Sequence, residues 1–539
     1  MRVLLVHPEF PRTYWGFQYS LPFIHKKATL PPLGLVSVAA LLPPSWELRL
    51  VDMNVSALDD EALRWADAVF VGGMLVQEPS MRSVLERAKR LGKRTVVGGP
   101  APTTSPGLFD LADHVFLGEA EGREGELERA ALGAPGTPRE LRSDVRPDLE
   151  RVPVPRFDLL DLAHYRTMSV QTSRGCPFTC EFCDIIEIFG RVPRVKSPEQ
   201  VVRELGALAK LGYRGEVFVV DDNFIGNRKA VRALVPVLTR WQAESGHPFT
   251  FYTEASLNLA RDHELVRGMV GAGFRSVFIG IETDSDEALS AAGKKQNVGV
   301  DVADAIDSLV RSGLEVMGGF IVGFDTDGPE AFTAQLELLR DAPLPLAMVG
   351  LMIALPETAL WRRLEQEGRL RAHTNGDQFG RPNFETRMDE LELLSGYAKL
   401  LRELYSPEAY FRRCAALVDR IGVPEGKAGV TRDDVAIALD AVVRLGVLGP
   451  RRRDFWRLVA RGARRGLGPT KTAISCAIQG EHMIRYTEED VVPRIERALV
   501  EARREAGREA GREAPRRRGP RFLARGVPGS PGGSSGEGA

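Results

Sequence analysis

Cysteine and histidine are scarce in this 539-residue chain, with five of the first and eight of the second. Three of the cysteines, Cys176, Cys180 and Cys183, fall within eight residues. That excludes a disulfide framework spread over the chain and reads instead as metal or redox chemistry. Cys414 and Cys476 stand apart in helical surroundings and read as buried structural thiols. The few histidines form no triad-like arrangement, which fits chemistry that requires no protein nucleophile. An excess of one charge is also missing: the formal net charge is -1, which gives no argument for a nucleic-acid partner. Long apolar runs are absent too. The longest, Leu30 to Trp46, is broken by Pro31, Pro32, Pro43 and Pro44 and is too short to span a bilayer. Val3–Val6 is too short for a signal-peptide core, and His7-Pro8-Glu9 follows at once, so the expected location is the cytoplasm.

What is present is an α/β pattern in several domains. Over residues 1–130, short β-branched runs recur at Arg2–Val6, Glu47–Val51, Ala68–Val71, Thr95–Val97 and His114–Leu117. Helical patterns such as Leu33–Leu42 and Pro79–Leu91 lie between most of them. This predicts a flavodoxin-like, doubly wound parallel sheet. Its strands end in Asp52, Gly72-Gly73, Gly98-Gly99 and Gly118-Glu119, at the edge where such sheets bind ligands. Residues 131–160 are rich in Pro, Gly and charge and read as a linker. A second series over 161–356 has six candidate strands: Tyr165–Gln171, Glu216–Val220, Phe249–Tyr252, Ser276–Ile281, Glu315–Val322 and Leu346–Ala354. They predict a partial (β/α)6 barrel with its polar residues just after the strands, where barrel sites lie. Residues 357–501 read as a helical C-terminal domain and 502–539 as a disordered tail.

Gly175-Cys176-Pro177-Phe178-Thr179-Cys180-Glu181-Phe182-Cys183 has the spacing C-x3-C-x2-C. Three thiolates on one loop reach three irons of a cubane and leave the fourth iron without a protein ligand. Structural zinc is the bland alternative. It usually takes four ligands, and no fourth Cys or His stands at a conventional spacing.

This motif resembles the signature of the radical S-adenosylmethionine superfamily, whose cysteine loop follows the first barrel strand. The resemblance implies a [4Fe–4S] cluster on Cys176, Cys180 and Cys183. The fourth iron would hold the amino and carboxylate groups of S-adenosylmethionine, which is cleaved to a 5′-deoxyadenosyl radical. By the same resemblance, Asp221-Asp222-Asn223 lies where the family contacts the methionyl amine. Glu254 and Ser256 fall on the strand that supplies ribose contacts. Gly280 and Glu282 lie near adenine and ribose, and Gly323 follows the strand that flanks adenine. Taken singly, each strand-end carboxylate is as well explained as a helix cap.

The N-terminal sheet resembles the cobalamin-binding module of many such enzymes, with Gly72, Gly73, Gly98, Gly99, Thr103, Gly118 and Glu119 as the matching pieces. Modules with a histidine below cobalt carry D-x-H-x-x-G. Here the run is Asp52-Met53-Asn54-Val55-Ser56-Ala57, so Asn54 stands where that histidine would be. A sheet that binds nothing is the plain alternative. The runs Cys183–Arg191, Asp221–Asn227 and Lys294-Lys295-Gln296-Asn297, with Tyr14-Trp15 and His25–Ala28, are similar to the cobalamin-binding radical group that includes hopanoid C-2 methylases. That resemblance implies methylation of an unactivated carbon through methylcobalamin. It also implies a small-molecule or lipid substrate and an electron donor of the reduced flavodoxin or ferredoxin type. Cobalamin-dependent rearrangement, cyclisation or oxidation is a second reading, and a non-catalytic metal-binding or regulatory protein a third. Glu187 and Arg191, just past the cluster loop, are placed to approach substrate, and a capping and surface role explains them equally well. Arg451-Arg452-Arg453 with Arg461, Arg464 and Arg465 read as a solvated basic face, with peripheral contact to anionic lipid as the alternative.

Overall fold

The computed structural model describes residues 1–143, 145–422 and 431–513. Six strands form the first sheet: β1 (Arg2–His7), β2 (Glu47–Asp52), β3 (Ala68–Gly72), β4 (Arg94–Gly98), β5 (His114–Leu117) and β6 (Glu140–Arg142). The order is β2-β1-β3-β4-β5-β6 and every pairing is parallel. Val3, Leu4, Leu5 and Val6 are all fully buried, because helices cover both faces of a parallel sheet. That is why β1 reads as a continuous apolar run and not an alternating one. β6 lies inside the stretch expected to be linker. With three residues and only Leu141 buried, it carries no period for a sequence to display.

Two residues before the cysteine loop, β8 (Ser173–Arg174) pairs antiparallel with β9 (Arg194–Val195) and closes that loop at its base. The second sheet holds β7 (Thr167–Val170), β10 (Gly215–Val219), β11 (Phe249–Ser256), β12 (Phe274–Glu282), β13 (Glu315–Val322) and β14 (Ala347–Leu351). They pair in parallel in the order β14-β13-β12-β11-β10-β7, with β7 and β14 at the two open edges, so the barrel is partial. Residues alternate along β12. Val277, Ile279 and Ile281 are fully buried against helices, while Ser276, Phe278 and Gly280 face the half-open lumen.

An open barrel leaves edge carbonyls that need partners. On β14 the C-terminal helices supply them. The Tyr397 hydroxyl donates to the Val349 carbonyl at 2.8 Å and that of Tyr405 to Ala347 at 2.7 Å. The buried Arg413 guanidinium donates to the carbonyls of Leu344 and Leu404. Cys414 and Cys476 are fully buried side by side between Pro407–Arg420 and Leu467–Tyr486. The last helix, Val492–Glu513, continues past 501 into the stretch expected to be a tail; the rest of that stretch, 514–539, lies outside the described residues. No described helix is long and apolar enough to cross a membrane.

Candidate active site

The cysteine loop leaves the carboxyl end of β7 through a fixed anchor. Asp221, after β10, is buried and accepts from the amides of Thr172 (2.7 Å) and Ser173 (3.0 Å), and from both their hydroxyls. Its oxygens are therefore occupied in holding the loop's entry, not turned to a ligand. The Gly175 amide faces Asp222 at 3.4 Å, and the Cys176 amide donates to the Gly190 carbonyl at 3.2 Å. The three cysteines are half-buried, and desolvation pushes each thiol up. Among the described residues, no three Cys, His, Asp or Glu side chains converge on one ion position. A cubane does not require convergence, since each thiolate meets a different iron.

Around the loop stand polar groups with unused capacity. Asn223 donates to the Ser256 hydroxyl at 3.2 Å, but its Oδ1 is buried without a partner. Glu254 carries a carboxyl pushed up to about 8, first by burial and then by Asp222 and Asp221. Asp222 is raised to about 7, by burial and by Asp221. Each of these two carboxyls makes ionisation of the other costlier, a cost that a nearby cation or hydroxyl donors would offset.

Glu282 sits at a register shift at the end of β12 with φ +69, and forms a buried ion pair with Lys294. Burial works against the charge on Lys294, but Glu282 outweighs it and keeps the ammonium pKa raised. A Cβ on Gly280 would lie 2.7 Å from both Glu282 Oε1 and Lys294 Nζ, so any larger residue there must displace the ends of that pair. Gln296 donates to Cys180 Sγ at 3.5 Å, and Asn297 donates to the Gly280 carbonyl at 2.8 Å. The side-chain oxygens of both amides are buried without partners. Gly293 has φ +73, and a Cβ there would stand 2.6 Å from the Thr179 carbonyl. Backbone meets backbone at that point, just before Cys180. After β13, the amides of Gly323 and Phe324 donate to Asp327, fixing the turn where Gly323 stands. On the loop's far side Glu181 pairs with Arg363, which also binds Asp325, and Asp325 is held by Arg369. Glu187 pairs with Arg362 at 2.9 Å.

The two sheets meet at this loop. Arg174 binds Glu119 at 2.7 Å and Glu121 at 2.7 Å, and Arg194 binds Glu119 at 2.6 Å, all well buried. Glu119 is thus committed to joining the N-terminal sheet to the cysteine loop. The other strand ends are also knitted together. The Thr103 hydroxyl donates to the Gly99 carbonyl (2.8 Å) and accepts from the Gly118 amide (3.0 Å). A Cβ on Gly99 would approach the Gly73 carbonyl to 3.2 Å, and one on Gly72 the Leu35 side chain to 3.0 Å; Gly98 has ordinary clearance from Phe116. Asn54 accepts from the Phe10 amide and donates to the Pro8 carbonyl and to Asp52. Asp52 in turn accepts from the Tyr165 hydroxyl at 3.0 Å. The asparagine side chain is spent on joining the loops after β1 and β2, while Met74, after Gly73, stands more than half exposed.

Family models match this chain in three consecutive pieces: a B12 binding domain over residues 23–128, the Radical SAM superfamily over 170–339, and a Domain of unknown function (DUF4070) over 358–496. An uncharacterized methyltransferase of Synechocystis sp. is 39% identical, over 90% of this chain and 92% of its own length. The hopanoid C-2 methylase of Rhodopseudomonas palustris is 33% identical, over 90% and 94%. The chain belongs to the cobalamin-binding radical S-adenosylmethionine methyltransferases. Solved structures agree on the fold. The radical S-adenosylmethionine methyltransferase TsrM of Kitasatospora setae, with cobalamin and a [4Fe–4S] cluster bound, aligns with TM-score 0.60 at 18% identity, covering 86% of this chain and 99% of that one. The cobalamin-dependent radical enzyme OxsB aligns with TM-score 0.57 at 15% identity, covering 94% and 84%.

A methyltransferase of this family uses a [4Fe–4S] cluster, S-adenosylmethionine and cobalamin. The residues present fit them. Three thiols on one loop suit the cluster. The unpartnered oxygens of Asn223, Gln296 and Asn297 and the raised carboxyls of Asp222 and Glu254 suit a ligand with an amine and hydroxyls. The glycine strand ends and exposed Met74 suit a flat cofactor. Sequence reasoning assigned no role to Arg174, Arg194, Lys294, Gln296 or Asn297. The run Lys294–Asn297 entered only as part of a resemblance, and Arg174 carried no signal beyond standing two residues before Cys176.

Proposed function

We propose that this methyltransferase adds methyl to an unactivated carbon of an apolar, hopanoid-like lipid, with a reduced flavodoxin or ferredoxin-type protein supplying electrons. The observation that carries the reading is the Glu119/Glu121–Arg174 joint. It ties the carboxyl edge of the N-terminal sheet to the cysteine loop, which supports a reading in which the two cofactors would be held close to one another. When bound, the cofactors supply hydrogen abstraction and methyl delivery. The chain supplies positions. Asp221 and Arg174 fix where the loop begins, and Gln296 steadies Cys180. Asn223, Asp222 and Glu254 present acceptors for an amine and for hydroxyls. Asn54 is engaged by Phe10, Pro8 and Asp52, so if cobalamin binds here this side chain would serve to join the loops after β1 and β2. Trp15 lies edge-on to Phe278 of β12, ring centroids 4.7 Å apart, and the two rings would offer an apolar substrate a wall. The lipid substrate draws support from the hopanoid C-2 methylase relative, whose name states that substrate class.

The test is anaerobic reconstitution followed by reduction with S-adenosylmethionine carrying a labelled methyl group. The wild type is expected to form 5′-deoxyadenosine, and Cys183→Ala none. Labelled methyl in a hopanoid product supports the full reading. Nucleoside with an unlabelled, rearranged product replaces methylation with cobalamin-dependent rearrangement. A loaded cluster that yields no nucleoside with any substrate refutes the radical assignment.

A further inference from the structure

A basic face by itself is normally a solvated one. Here it adjoins apolar surface that is also exposed. Fourteen large hydrophobic side chains are exposed among the described residues, and seven of them lie between 435 and 467. Four fall at a spacing of four residues, Val435, Leu439, Val443 and Val447, forming one stripe along Arg432–Val447. Leu448, 73% exposed, extends the stripe, and Trp456 of the next helix stands beside it. The Trp456 indole N–H donates to the Gly446 carbonyl at 2.9 Å, so its one polar atom is satisfied and the ring is free to enter an apolar phase.

Next to the stripe is an open groove of about 1110 Å³ lined by Arg452, Arg453, Arg457, Arg461, Arg464 and Arg465, with Trp456 between them. Arg461 is bound to Asp419, but Arg452, Arg453 and Arg464 form no ion pair among the described residues. Residues 431–471 hold ten Arg and Lys against four Asp, a net charge of +6 in a chain of net charge -1.

We propose that this face docks the enzyme onto an anionic lipid bilayer. The stripe and Trp456 would enter the headgroup layer, with the arginines paired to lipid phosphates. An apolar strip with a cationic flank and an interfacial tryptophan is the chemistry of an in-plane membrane contact. Charge decides against other occupants. A second copy of this chain would bring +6 against +6. The sequence beyond residue 513 carries five arginines and one glutamate, so it too is repelled. A nucleic acid would satisfy the arginines and leave five aliphatic side chains in water. The inference does not depend on the lipid-substrate reading; a water-soluble substrate would leave it standing.

Co-sedimentation of the full chain with vesicles tests it. Binding is expected to vesicles of phosphatidylcholine containing phosphatidylglycerol, not to phosphatidylcholine alone. Each arginine near a bilayer contributes about fivefold in affinity, so Arg452→Glu/Arg453→Glu is expected to weaken binding by about 30-fold or more. Leu439→Gln/Leu448→Gln, at exposed positions that leave folding intact, is expected to weaken it while preserving the salt dependence. The proposal is overturned if the wild type ignores anionic vesicles at low salt. It is equally overturned if neither double variant shifts the binding curve, or if homopolymer RNA binds more tightly than the vesicles.

Discussion

Replacing Arg174 by methionine tests how the two cofactor sites are held in register. The guanidinium makes four charge-assisted or polar hydrogen bonds, to Gln171, Glu119 and Glu121, and its side chain is 12% exposed. Methionine keeps the stem and removes the charge. Glu119 retains Arg194, but Glu121 is left as a buried carboxylate whose salt-bridge partner is gone. Burial pushes the Glu121 carboxyl up, and Arg174 more than offsets this and holds it lowered. Breaking a buried pair from one side costs about 3–5 kcal/mol. Because several domains unfold here, the cost is best read locally. Amide hydrogen exchange over residues 172–190 is expected to accelerate by about two orders of magnitude, the equivalent of about 3 kcal/mol. Glu121→Gln added to Arg174→Met removes the stranded charge and is expected to restore part of the protection. The pair also sets a pH dependence. Since Glu121 is lowered in the folded protein, its contribution is complete above the ordinary carboxylate range and is lost as pH falls through the folded value. Exchange in Arg174→Met within twofold of wild type would refute the reasoning.

Glu254 predicts the opposite slope. Its carboxyl is raised to about 8, so the ligand-free protein loses stability as pH rises from the ordinary carboxylate range through 8, and Glu254→Gln is expected to flatten Tm against pH over that window. A Glu254→Gln protein with the wild-type slope would show that another group carries it. Gly293→Ala forces a Cβ to 2.6 Å from the Thr179 carbonyl at φ +73, and iron content after reconstitution is expected to fall by more than half, with normal far-UV circular dichroism. Asp325, held near 2 chiefly by Arg369 and then by Arg363, contributes stability above the ordinary carboxylate range that is lost as pH falls toward 2. Asp325→Asn is therefore expected to lower Tm at neutral pH and to converge with wild type in strong acid.

The cysteine loop shows how much of a site one stretch of sequence can state. Residue type and spacing both lie within eight residues, so Cys176, Cys180 and Cys183 could be proposed as cluster ligands without a fold. The strands were legible for the same local reason. β1 and β3 are buried on both faces and therefore unbroken apolar runs, whereas β6, three residues with one buried side chain, left no trace. What Asp221 and Glu119 do was not local. Both were expected at cofactors, and the fold engages Asp221 with Thr172 and Ser173, and Glu119 with Arg174 and Arg194. Those partners are 48 to 75 residues away in the chain.

Composition, motif and strand rhythm thus determined the fold class and singled out the candidate cluster ligands, because each depends on residues near one another in the chain. Tertiary structure alone decided which carboxylates are already satisfied and which face the lumen. It also decided that tyrosines from a distant helical region close the edge of β14. A buried charge or an edge carbonyl takes whichever partner folding brings within hydrogen-bond distance, and sequence spacing carries no record of that distance.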